Sequence, residues 1–203
     1  MMRRFRVGIS PGVCILWALM LLVLPLNWLF ACWLAAGFHE FCHYAAVKCC
    51  GGRVTDLSFG ILGAGMRADG MSLGKTLLCT LAGPIGGGVL VLTWARFPRL
   101  AICTGIHSLF NLLPVMPLDG GVALFCGLCF AYPQTTAVVI TRRIGQAICI
   151  LALIIGLIGF LRLDWGFSGM IPGILLISAT PKEKYLAKKA AGVYNRDNHS
   201  IKR

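Results

Sequence analysis

Long apolar stretches separated by short polar or glycine-rich breaks dominate the chain. They predict about six membrane-spanning helices, roughly over 11–26, 28–47, 75–95, 101–130, 144–161 and 165–180. The first and last are short for a hydrocarbon layer of ~30 Å, which takes about 20 helical residues, so five spans is the alternative count. One segment follows another period. Thr55-Asp56-Leu57-Ser58-Phe59-Gly60-Ile61 alternates polar and apolar side chains as a strand does, and Gly60, Gly63 and Gly65 offer turn positions. This predicts a small β-hairpin between the second and third spans, with a plain polar loop as the other reading. The fold class is then an all-α polytopic membrane protein carrying one hairpin. In the third span, Gly83-Pro84 and Gly86-Gly87-Gly88 fit close approach between helices.

Composition agrees. The 203 residues are 58% hydrophobic and 13% charged, with a mean hydropathy of +0.81, whereas soluble proteins carry about a quarter charged residues. No polar stretch is long enough to build a soluble core. The net charge of +12 is that of many nucleic-acid binders, but its placement argues otherwise. With six spans, 16 of the 19 basic residues fall on the side of the two termini, leaving Arg96, Arg99 and Arg162 opposite. That asymmetry obeys the positive-inside rule and puts both termini in the cytosol, facing anionic lipid. Residues 181–203 read as a basic cytosolic tail. Arg3-Arg4-Phe5-Arg6 before an apolar run has the look of a signal peptide, and Leu29-Phe30-Ala31-Cys32 loosely that of a lipoprotein box. Cleavage there would strip the first helix from just ahead of the polar residues described next, and the apolar run continues past it. Most of the ten cysteines, among them Cys14, Cys32, Cys79, Cys103 and Cys149, sit in apolar runs and read as small hydrophobes. Cys126 and Cys129 have CxxC spacing, and Cys49-Cys50 lies beside the expected cytosolic face.

The second span breaks its own pattern with His39-Glu40-Phe41-Cys42-His43. Ionisable side chains inside a span are costly and point to function. HExxH on a helix sets two imidazoles one turn apart on one face, as two ligands of one metal require, with a glutamate beside them to serve as general base. A third protein ligand is still needed, leaving the fourth position for water. The extended pattern HExxHxxGxxH fails, since Ala46 and Cys49 stand where Gly and His belong. Glu183 lies in the tail. His107, in the fourth span, is one candidate. Asp119 is the better one, because it alone among the aspartates lies in a long apolar run, Asn111-Leu112-Leu113-Pro114-Val115-Met116-Pro117-Leu118-Asp119-Gly120-Gly121. Two prolines and a glycine pair predict broken helix there, and irregular backbone at membrane depth is tolerated where it is buried in protein or lines a wet cavity. His43 precedes Lys48 by five residues, so at ~1.5 Å per residue it lies less than ~10 Å below the cytosolic boundary, within reach of water.

HExxH in one span and NxxPxxPLDGG in a later one resemble the site-2 protease family of intramembrane zinc metalloproteases, and Leu81-Ala82-Gly83-Pro84 matches an Ala-Gly-Pro element often found between them. The resemblance covers roughly residues 28 to 121. Lacking a PDZ-like insertion, the chain is most similar to the compact sporulation-type branch (stage IV sporulation protein FB), though without the CBS domain common there, and with Val122 where many members have Arg. It implies an intramembrane metalloprotease domain over 1–180. One zinc ion would be held by His39, His43 and Asp119, with Glu40 as general base. Asn111 would donate to the oxyanion, or else serve as a structural amide. The implied substrate is a membrane-associated bacterial regulatory protein, such as a sigma-factor precursor, cut near the cytosolic face, with a membrane inhibitor or activator as a further partner. The hairpin edge could hold unwound substrate extended. The rival from another class is a membrane metal-ion transporter, which usually spreads several such ligands along a path, whereas here they gather at one place.

Overall fold

The computed structural model describes residues 6–60, 63–163 and 171–179. Residues 1–5, the tip of the hairpin at 61–62, the start of the expected sixth span within 164–170, and the tail from 180 onward lie outside them. The chain divides after Asn111 into two compact units.

The first unit runs β1 (Arg6–Ile9), α1 (Pro11–Val23), α2 (Leu26–Cys49), β2 (Arg53–Gly60), β3 (Gly63–Asp69), α3 (Leu73–Val91), a 3-10 turn (Leu92–Ala95) and α4 (Pro98–Asn111). Local chemistry sets the breaks. Pro25 holds Leu24 extended, as a residue before proline must be, and separates α1 from α2. At the other end of α2, Gly51 takes φ +75°, and the Gly52 N–H bonds back to the Val47 carbonyl at 2.8 Å. This is a left-handed glycine stop, with Lys48 in the last turn to complement the helix dipole. Lys75 Nζ ties the same end to the start of α3 by donating to the Cys50 carbonyl at 2.8 Å.

The hairpin is present, as β2 and β3 in antiparallel register with Leu57 opposite Met66. It is not alone. β1 pairs in parallel with β2, Arg6 opposite Asp56 and Ile9 opposite Phe59, giving a three-stranded sheet of order β1-β2-β3. In the sequence, Arg6 belongs to a basic cluster ahead of an apolar run, with the look of a signal peptide and no sign of a strand. Four residues carry too little pattern to announce a strand whose partner lies fifty residues on.

α2 buries Ala31, Ala35, His39, His43 and Val47 at intervals of four, so small residues occupy the upper part of its packed edge and the imidazoles the lower. Ala31 and Ala35 pack with Cys103 of α4, flanked by Trp28, Cys32 and Leu100. α3 lies against α2 and α4 through glycines. A Cβ on Gly86 would strike Cys42 Sγ, and one on Gly87 would strike Ser108 Oγ, whereas Gly88 faces open space. Two of that glycine run thus serve close approach and the third does not.

The second unit holds α5 (Asp119–Leu128), α6 (Gln134–Arg162) and α7 (Ile171–Ala179). The expected fourth span, 101–130, is two helices, interrupted where Pro114 and Pro117 stand. The glycine pair is not part of the interruption. Gly120 and Gly121 form the first turn of α5, and any Cβ on them would collide with the backbone of Leu112, Leu113, Val115 and Met116. Their lack of side chains lets the proline-bearing stretch fold back on the helix start. α6 starts ten residues before the expected 144 and carries Arg142 and Arg143 inside it rather than in a loop. The stretch before Gly145 is rich in β-branched Thr, Val and Ile, but each of these costs a helix less than ~1 kcal/mol and no proline follows Pro133 within it, so nothing there breaks the helix.

Among the described residues two helices, Leu73–Ala95 and Gln134–Arg162, are long and apolar enough to cross a membrane, and only 22% of either apolar window is buried in the protein. Helices of a soluble core would be mostly covered. Large aliphatic side chains such as Leu22, Leu92 and Leu109 are 82%, 83% and 70% exposed, a surface suited to lipid rather than water. α2 has 24 residues, about 36 Å of helix, but its polar residues lower its hydropathy.

Candidate metal centre

The centre is built from α2 outward. His39 is 2% exposed and His43 9%, one helical turn apart on the packed edge. Their Nε2 atoms face each other at 3.0 Å, with the rings nearly perpendicular at 81°. His43 Nδ1 lies 2.7 Å from the Cys79 carbonyl of α3. A carbonyl only accepts, so Nδ1 carries the proton, and in the neutral ring the Nε2 lone pair is left for a ligand. Backbone orientation of a ligating histidine through its other nitrogen is a common feature of metal sites. Glu40, half-buried, follows His39 directly.

α4 adds His107, whose ring stands edge-on to His39 with centroids 4.7 Å apart. Asn111, buried at the end of α4, donates through Nδ2 to the His107 carbonyl at 3.0 Å. That bond fits the structural reading of the amide, although a second N–H remains for another acceptor. In the second unit, Asp119 is half-buried and opens α5, where the positive end of the helix dipole favours a carboxylate.

His39 and His43, with Asp119 of the second unit, are by their chemistry a donor set that could hold a metal ion. The donor set fits one. Two imidazoles and a carboxylate are the usual ligands of a catalytic zinc site, and two nitrogens at ~2.1 Å on a tetrahedral ion would stand ~3.4 Å apart, near the observed separation. His107 is not part of that group. Nothing in the sequence marks the Cys79 carbonyl, a backbone atom 36 residues from its partner. Cys126 lies buried in α5 and Cys129 caps it, and no disulfide is formed among the described residues.

No protein-family model and no curated protein matches the sequence. Among solved structures, the chain is similar to a site-2 protease from Methanocaldococcus jannaschii, with a TM-score of 0.65 and 15% identity over 87% of this chain and 91% of that one. At that identity the likeness establishes a shared fold.

Proposed function

We propose that this chain is an intramembrane zinc metalloprotease of the site-2 type. It cleaves a peptide bond in a membrane-associated regulatory protein near the cytosolic face, a sigma-factor precursor being the kind of substrate the sporulation-type resemblance suggests. One observation carries the reading: two buried imidazoles with facing Nε2 atoms on an apolar helix, with a glutamate next to the first. The shared fold supports it.

His39, His43 and Asp119 would hold the ion. When bound there, zinc would supply a Lewis acid for the scissile carbonyl and lower the pKa of water toward ~7. Glu40 takes the proton of the attacking water on a carboxylate oxygen and returns one to the leaving amine. Asn111 offers its second amide N–H to the developing oxyanion. The sheet keeps two outer edges, one on β1 and one on β3. Either can pair with substrate backbone and hold it extended, which frees the scissile carbonyl from its helix. We place six spans in the domain over 1–180, both termini in the cytosol and the basic tail against lipid.

Purified chain in detergent, given zinc and a reporter peptide containing a transmembrane segment, is expected to cut the peptide and to stop on chelation. Metal uptake into liposomes without cleavage would instead establish a transporter.

A further inference from the structure

We infer that Gly83 holds open the space a metal ion takes in front of His39 and His43, so that α3 belongs to the metal centre although it supplies no ligand. The inference rests on the metalloprotease reading above. A Cβ on Gly83 would collide with His43 Nε2 and would stand 2.6 Å from His43 Cε1 and 2.7 Å from His39 Nε2. What this glycine faces is therefore the pair of ligand nitrogens themselves.

Its neighbours on α3 differ in kind. A side chain on Gly86 or Gly87 would first meet Cys42 Sγ or Ser108 Oγ, single terminal atoms that can rotate away. The imidazoles have no such freedom. His43 is anchored through Nδ1 to Cys79, one turn before Gly83 on the same helix, and His39 has the His107 ring edge-on to it. One turn of α3 thus fixes the orientation of a ligand ring and keeps a side chain out of the region before that ring's other nitrogen. Helix interiors disfavour glycine, and Gly83 lies well inside α3. Clearance for an ion is a reason to keep it there.

The test uses the full chain in detergent, with zinc(II) and cobalt(II) as probes. Bound metal is counted by elemental mass spectrometry, and coordination is read from the cobalt absorption bands. Wild type is expected to hold one ion per chain. Gly83→Ala is expected to bind zinc about 10–100-fold more weakly, the range for changes just outside a ligand set, and to lose or shift the cobalt bands while keeping its helix content. Gly88→Ala and Gly86→Ala should bind as wild type does. Unchanged affinity and spectrum in Gly83→Ala would overturn the inference and leave the protease reading standing, whereas a wild type that binds no metal would sink that reading itself. Should Gly83→Ala misfold, adding His39→Ala and His43→Ala removes both colliding rings. Recovery of the fold to the level of the His39→Ala/His43→Ala variant supports the clash, and a triple variant as unfolded as Gly83→Ala places the constraint elsewhere and overturns it.

Discussion

A glutamate beside a zinc-type histidine and an aspartate at a helix start make different demands, and substitution separates them. In Glu40→Gln the ligands are intact, so one metal per chain should remain while cleavage of a reporter peptide falls by about 10²–10⁴-fold, the usual contribution of a general acid–base group. A Glu40→Gln enzyme of undiminished activity would remove the residue from its role. Asp119→Asn keeps the shape but loses the charge. It should lower metal occupancy and activity together, and zinc titration is the measurement that checks this. Asn111→Ala tests the remaining assignment. If the amide only closes α4 through the His107 carbonyl, unfolding resistance drops by about 1 kcal/mol with kcat little changed. If it serves the oxyanion, kcat drops by about 10²-fold or more. These residues were legible in the chain because each is an unusual polar group in an apolar run. Gly83 and the Cys79 carbonyl were not, since a glycine and a backbone oxygen look the same wherever they stand.

At the level of elements, α2 and α4 reverse the usual order of a soluble helix. α4 buries Thr104, Ser108 and Asn111 along one face and exposes Ile106 and Leu109 on another, with Leu109 at 70%. A helix polar inward and apolar outward suits a lipid surround with a wet or ligating interior. The stability of α2 itself can be tuned in both directions. Gly37, on its exposed face with nothing within 4 Å, should tolerate Gly37→Ala and gain about 0.5–1 kcal/mol from helix propensity. Gly51 stops the helix at φ +75°, so Gly51→Ala should cost about 1–2 kcal/mol. Opposite shifts of the unfolding midpoint in detergent would bear this out, and shifts of one sign would refute it. Hydropathy located most helices within a few residues. It failed where continuity mattered: Arg142 and Arg143 suggested a loop, yet long basic side chains can extend their charges toward the interface and leave the helix unbroken.

For the molecule as a whole, the wide aliphatic surface and the polar centre both assume a bilayer. The chain is expected to stay with membranes through high salt and alkaline carbonate, which release peripheral proteins, and to come out only with detergent. Chelation should abolish cleavage and added zinc restore it, with helix content unchanged. Loss of the fold on chelation would make the ion structural rather than catalytic. The sheet adds a feature at this scale. Among the described residues β1 covers one edge of β2, so under the proposed function a substrate strand would add to a three-stranded platform rather than to a bare hairpin.

Periodicity and residue chemistry alone were enough to locate most of the helices, the hairpin and the two imidazoles one turn apart, because these relations span at most a few residues and are dictated by helix and strand geometry. Tertiary folding decided which distant groups complete them: β1 beside β2, the Cys79 carbonyl on His43, the bare Cα of Gly83 before both nitrogens, and Gly120 and Gly121 under the proline stretch. Such partners meet only when the chain closes over tens of residues, and nothing in local composition encodes where it will close.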